Sequence, residues 1–394
     1  MVELILQKEV QDFINEHLFS DVQQLALKKN PFPELDYKII LNQIVSKGKA
    51  KDKLPTWYST ERIIYPEKIS IEQTSSEKTA AYKASIVLGE SLVDLTGGFG
   101  IDDYYFSKKI KKVIHCEING ELSAVTQQNF EKLGVQNIEC FSGNSFDFLK
   151  NTSATFDWIY IDPSRRSSTK GKVFLLADCL PNVPELLDFY LEKTNQILIK
   201  AAPILDITSA ISELKFVKTI HIVSIENEVK ELLFELEKNY SGQIFVKTID
   251  FSKKVTQFDS FLSDEAPNLR FGLPQKFIYE PNSAVMKSGN FDLISSRFQL
   301  AKLHAHSHLY TSDELIDFPG RVFEIQYHFQ YNKENMKTHL QNKKCNLTTR
   351  NFPEKVEEIR KKWKIKDGGS NYIFFTTDFN NNKIVLLCTK IQHK

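Results

Sequence analysis

VDLTGGFGID, residues 93–102, joins an apolar run to a glycine cluster. Its first residues have the apolar character of a buried strand, Gly97, Gly98 and Gly100 follow at once, and the residues after them take up helical spacing. A strand that delivers a glycine-rich turn straight onto a helix lets the backbone approach a ligand closely, because a Cβ there would fill the space. Two phosphate-binding readings fall away. A dinucleotide fingerprint wants a third, helix-packing glycine near position 103, where the chain has Asp103, and a P-loop needs a following Gly-Lys-Ser or Gly-Lys-Thr, which is absent.

Strand-like segments recur at SLVDL, KVIHCEI, NIECF, DWIYID, QILIKAA, KTIHIVSI and QIFVKTIDF, with helical segments between them. That alternation predicts one doubly wound α/β domain with a parallel sheet and its ligand at the carboxyl ends of the strands. ENEVKELLFELEKN, residues 226–239, has helical spacing and is expected to be a helix between the last two strands. Residues 1–60 read as a helical lead-in, 61–270 as the α/β domain, and 271–320 and 321–394 as two small α+β units, the last ending in a hairpin around DFNNNK.

Two strand ends carry chemistry. Glu117, in VIHCEIN, stands twenty positions after Gly97, where a carboxylate can accept hydrogen bonds from both ribose hydroxyls of a nucleoside lying over the turn. WIYIDPSRRSSTKGKVF, residues 158–174, begins as a strand and breaks into an acid-proline corner with two arginines behind it. Arg165 and Arg166 can stack on a base, grip phosphate, or pair with carboxylates such as Asp178, and these alternatives stay open. Lys200, in ILIKAAP, ends the next strand and is expected to face the same crevice, with Glu228 and Lys230 as less specific neighbours.

Composition narrows the class. Five cysteines, far apart and never in a CxxC pair, suggest neither a disulfide framework nor a zinc site, and a reducing compartment fits them. His304, His306 and His308 alternate, but beside a helical segment this spacing scatters them, so no metal is expected. The N-terminus carries carboxylates where a signal peptide would be basic, and no run of about eighteen apolar residues occurs, so a cytoplasmic protein with no membrane partner is expected. The net charge of +1 hides an asymmetry: residues 321–394 hold 15 Lys and Arg against 7 Asp and Glu, leaving the tail at +8 and the rest at −7. Its lysines interleave with Trp363, a mixture that serves phosphate contact and base stacking, or equally a solvated helix face over one buried tryptophan.

VDLTGGFGID is similar to motif I of class I S-adenosylmethionine-dependent methyltransferases, with Asp94, Gly98 and Gly100 matching and Thr96 standing where many members have glycine. IDPSRR resembles the acid-proline corner of amino-methyltransferases, with Ser164 in place of a second proline and Arg165 in place of an aromatic. Together with IYEPNSAVMKSG, LYTSDELIDFPGRVF and KIKDGGSNYIFFTTD, these segments resemble a bacterial family of class I methyltransferases with a small ferredoxin-like segment and a THUMP-like C-terminal domain. The resemblance implies a Rossmann-like, seven-stranded fold. It implies S-adenosylmethionine held by Asp94, Thr96, Gly97, Gly98, Gly100, Glu117, Asn144 and Ser145, and a target amine positioned by Asp162, Pro163, Ser164 and Arg165. It further implies methyl transfer to an exocyclic base nitrogen of rRNA or tRNA, guanine N2 being one such position, with the basic tail as RNA contact. An inactive RNA-binding protein on this fold, and an enzyme acting on a protein or small-molecule amine, stay open as alternatives.

Overall fold

The computed structural model of the chain describes residues 2–165 and 175–391. Its N-terminal part is helical for reasons visible in the residues. Helix Lys8–Glu16 buries Val10 and Ile14, one turn apart on one face. Helix Tyr37–Lys53 starts at Asp36, whose carboxylate accepts the Lys38 N–H, and buries Ile40 and Ile44. These side chains join Ile5, Leu25, Leu35 and Ile64 in one apolar cluster. Helices continue beyond residue 60 to Glu77–Ile86, capped by the Ser76 hydroxyl.

The α/β core follows. Its strands are β1 (Ser91–Asp94), β2 (Lys112–Glu117), β3 (Ile138–Ser142), β4 (Trp158–Ile161), β7 (Gln196–Ala201), β8 (Val217–Ile225), β9 (Glu228–Glu237), β10 (Phe245–Phe251) and β11 (Val255–Phe261). A separate ladder pairs β5 (Ser164–Arg165) with β6 (Cys179–Leu180). The nine-stranded sheet has the order β11-β10-β8-β9-β7-β4-β1-β2-β3. Strands β1, β2, β3, β4 and β7 pair in parallel, and their central members read as unbroken apolar runs because both faces are covered. Chain order reverses at β1 and β4, which places the switch point at the ends of the glycine turn and of IDPSRR.

All seven expected strands are present, and two more join them. Residues 226–239 are not the expected helix: 228–237 form β9. Glu226 and Asn227 both have positive φ, 50° and 64°, the conformation of a two-residue hairpin turn, and the Asp250 carboxylate accepts the Asn227 N–H at 3.0 Å. Glu231, Leu232, Leu233 and Phe234 are buried consecutively, so both faces are covered, and burial overrides the helix propensity of a Leu, Glu and Lys sequence.

Two compact units divide the chain: Met1–Lys218 with Leu233–Ser241, and Thr219–Leu232 with Gly242–Lys394. The second contains an eight-stranded sheet in the order β12-β14-β15-β13-β16-β19-β18-β17. These strands are β12 (Arg270–Phe271), β13 (Phe277–Pro281), β14 (Ala301–Lys302), β15 (Tyr310–Ser312), β16 (Gly320–Gln330), β17 (Asn346–Arg350), β18 (Asn371–Thr377) and β19 (Lys383–Lys390). The expected hairpin at DFNNNK joins β18 to β19, its turn held by Asp378 accepting from the Asn380 and Asn382 N–H groups. The five cysteines are all free, and no described helix is long and apolar enough to cross a membrane.

Replacing Phe234 by Ala removes a fully buried ring from β9 and is expected to cost about 3–5 kcal/mol, while Lys230→Ala at the more exposed end should stay within about 0.5 kcal/mol. Urea denaturation distinguishes the two; equal losses would contradict the strand.

Candidate functional site

The glycine turn is fixed by three glycines with three different roles. A Cβ on Gly97 would lie 2.2 Å from the His115 ring, so this glycine lets the turn rest on β2, where its N–H reaches the Cys116 carbonyl at 2.8 Å. At Gly100, with φ of 74°, a Cβ would meet Phe130 at 2.4 Å and Thr126 at 2.7 Å, so this one packs helix Ile101–Phe106 onto its neighbours. Gly98 differs: its φ is 55°, and a Cβ would find nothing nearer than the Thr96 carbonyl oxygen at 3.7 Å. Its open side is a surface on which a ligand can lie against bare backbone.

Glu117 closes the turn from β2. Its Oε2 accepts the Gly98 N–H at 2.9 Å and its Oε1 the Asn119 N–H at 2.7 Å. Ile118, between those two, is 74% exposed, an apolar side chain at the strand end that sequence reasoning passed over. The ending of β2 in Glu-Ile-Asn was the available signal, an apolar residue in an otherwise polar turn. Asn144 and Ser145 stand at the end of β3, where Asn144 caps helix Ser145–Asn151 by accepting the Phe146 N–H at 2.9 Å.

Beneath the turn lies a buried polar layer that the sequence did not reveal beyond Asp94. Asp94 accepts the Thr96 N–H at 2.7 Å and hydroxyl at 3.0 Å; burial, and then the charge of Asp103, push its carboxyl well above the usual range. Asp103 is raised by burial and by Asp102, and it shares a hydrogen with Nδ1 of His115 at 2.6 Å. Burial lowers the His115 imidazole, against the opposing charges of Asp94 and Glu117. Burial works against the Asp102 anion too, yet Lys83 at 3.2 Å, Lys200, and hydrogen bonds from Tyr160 and Ser75 hold its carboxyl below the usual range. Acids in the first turn of a helix suggest a solvated end facing the dipole, which is why Asp102 and Asp103 escaped notice.

The acid-proline corner sits beside this layer. The Asp162 N–H donates to the Thr96 hydroxyl oxygen at 2.7 Å, and Oδ2 of Asp162 pairs with Nζ of Lys200 at 2.5 Å. Pro163 is buried, Ser164 is exposed, and the Ser164–Arg165 backbone pairs with Cys179–Leu180. Arg166, and with it the choice among its expected partners, lies outside the described residues. The structure thus joins Asp94, Thr96, Asp162 and Lys200 in one network and Gly98, Glu117 and Asn119 in another. Glu228 and Lys230 pair with each other at 2.7 Å. Of the histidines, His304 bonds Asn351 and His308 stacks on Phe291, and no group able to hold a metal ion occurs among the described residues.

In the second unit a cavity of about 500 Å³ is lined by Tyr331, Lys333, Lys337, Lys362 and Trp363, among others. Trp363 is only 7% exposed and packs with Met336, Ile359 and Phe375, so the buried-tryptophan reading of the tail is the right one for this residue. Lys362 donates to Glu354 at 3.0 Å and to the Tyr331 hydroxyl at 3.1 Å.

Residues 277–319 match the family model of a ferredoxin-like domain, and residues 320–390 that of a THUMP domain-like unit. Among solved structures the chain is similar to a provisionally named methyltransferase from Porphyromonas gingivalis W83, at 28% identity over 99% of both chains with a TM-score of 0.88. An rRNA methylase from Streptococcus thermophilus shares 18% identity over 41% of this chain and 95% of its own, with a TM-score of 0.30. TrmK of M. capricolum, in complex with S-adenosyl-homocysteine, shares 17% over 45% of this chain and 70% of its own, with a TM-score of 0.31. No curated protein matches. The chain joins a class I methyltransferase fold to ferredoxin-like and THUMP-like domains.

Gly100→Ala combines left-handed strain of about 1–2 kcal/mol with overpacking of about 1–3 kcal/mol, whereas Gly98→Ala meets only the strain. Urea denaturation is expected to rank Gly100→Ala as the less stable variant; the reverse order would mean that the side of Gly98 is not open.

Proposed function

We propose that the protein is an S-adenosylmethionine-dependent methyltransferase acting on an exocyclic base nitrogen of RNA, with guanine N2 the first position to assay. The observation that carries this reading is the open backbone at Gly98, bridged to Glu117 one strand away from Asp162. The cofactor suits these residues. Each Glu117 oxygen accepts one backbone N–H and keeps a lone pair for a ribose hydroxyl, and Ile118 offers apolar surface to a flat base. Asp94, Thr96, Gly97 and Gly100 shape the turn, while Asn144 and Ser145 border it at the β3 end. The cofactor, when bound, supplies an already activated methyl group on sulfonium sulfur.

The chain's own task is then orientation. The Asp162 carboxylate and the Pro163 carbonyl accept hydrogen bonds from the target NH2, which aims the nitrogen lone pair, and Asp162 can take the proton that the nitrogen sheds as it gains carbon. From the corner the Ser164–Arg165 backbone continues onto the β5 ladder. RNA as substrate is supported by the +8 tail, by the match to a THUMP-like domain and by the lysine-lined cavity within it. The similarity to the Porphyromonas gingivalis protein supports methyl transfer itself. Five free thiols fit a cytoplasmic site of action.

Isothermal titration is expected to show S-adenosylmethionine binding that weakens about 10- to 100-fold in Glu117→Ala, the loss of hydrogen bonds to a charged acceptor worth about 1.5–3 kcal/mol. No binding by the wild type would remove the basis of the reading. For RNA, the Lys333→Glu, Lys337→Glu double variant should bind more weakly and lower the slope of log affinity against log salt by about 2. A slope unchanged by both substitutions would place RNA elsewhere.

A further inference from the structure

The family-like corner lacks its second proline and aromatic, so something else must set the direction of Asp162. Among the described residues, two side chains hold it. From below, the Thr96 hydroxyl accepts the Asp162 N–H at 2.7 Å and donates to the buried Asp94 at 3.0 Å, so both of its hydrogen-bonding roles are committed. From the side, Nζ of Lys200 holds Oδ2 of Asp162 at 2.5 Å. The Lys200 side chain is 13% exposed and that of Asp162 38%, so the pair is anchored at the lysine and open at the acid.

We propose that Lys200 and Thr96 are positioning residues that clamp Asp162, Lys200 taking one carboxylate oxygen so that the other is presented to the target amine in a single orientation. This rests on the methyl-transfer reading given above. A glycine at position 96 would leave the Asp162 N–H without this acceptor, which accounts for threonine in a place where a smaller residue would complete the turn. The lysine serves where a second proline and an aromatic are missing from the sequence: an ion pair from the neighbouring strand reaches the acid of the corner. Displacing a reacting group by about 1 Å can cost about 10²-fold in rate, which sets the size of the expected effect.

Initial rates of transfer of labelled methyl from S-adenosylmethionine are measured on total RNA from cells lacking the protein, with cofactor affinity by titration. Lys200→Met should lower kcat about 10²-fold, with KM for RNA and Kd for S-adenosylmethionine within about 2-fold of wild type, and Thr96→Val should lower kcat about as much, beyond any weakening of cofactor binding at the turn it shapes. Lys200→Arg and Thr96→Ser should recover part of the loss. Wild-type rates in Lys200→Met overturn the clamp, as does a raised KM for RNA with unchanged kcat, which would make Lys200 an RNA contact, or a fall in cofactor affinity equal to the fall in rate, which would make its role structural. Absence of wild-type transfer to that RNA sinks the RNA reading, and the clamp is then read without substrate. In a crystal structure of Lys200→Met, an Asp162 carboxylate turned from its present direction supports the clamp, and an unmoved carboxylate overturns it.

Discussion

The first unit depends on how closely the glycine turn lies on β2. Gly97 has no Cβ, and so the backbone can rest on the His115 ring, which is itself fixed by Asp103. That approach brings the Gly98 N–H within reach of Glu117 and the Gly97 N–H within reach of the Cys116 carbonyl. A larger residue at position 97 would lift the turn, part the Gly98–Glu117 bridge and tilt helix Ile101–Phe106, whose start at Gly100 is pinned against Phe130. One steric allowance therefore sets the ligand surface, the acid beside it and the helix behind it.

The layer of acids under the turn gives that surface its stiffness. Three carboxylates within ten residues are buried, and they coexist because each is handled differently: Asp94 and Asp103 are pushed toward the neutral form, while Asp102 is kept ionised by Lys83 and by hydrogen bonds from Tyr160 and Ser75. Removing Lys83 from such a layer would strand the buried Asp102 charge. The layer ties β1, β4 and two helices to one another through polar side chains, and its upper edge is Thr96, the hydroxyl that reaches Asp162.

Much of this was legible in the sequence. The seven strands, the glycine turn, Glu117 and the Asp-Pro corner all follow from apolar runs that end in a residue of distinct chemistry, a local signal. What escaped was non-local. Residues 228–237 have helix-forming composition and helical spacing, and only their burial on both faces and the Glu226–Asn227 turn make them a strand. Lys83, in AAYKASI, carries no sign that its ammonium is buried against Asp102, because its partner lies nineteen positions away on another helix. Trp363 illustrates the converse: composition allowed both a stacking platform and a core side chain, and contact with Met336 and Phe375 decides for the core.

The residues that depart from the family-like motifs surround Asp162. Thr96 in place of glycine, taken alone, weakens a motif. In the fold its hydroxyl bridges the acid at the end of β1 to the acid after β4, a link that glycine cannot make. Ser164 and Arg165 stand in place of proline and an aromatic, and Lys200, expected from the sequence to face the same crevice, is paired with the acid of that corner. Thr96 and Lys200 lie in separate segments and meet at Asp162. A reacting carboxylate keeps its direction when the side chains around it are themselves held, and a hydroxyl anchored on Asp94 and an ammonium from β7 converge on Asp162 in that way.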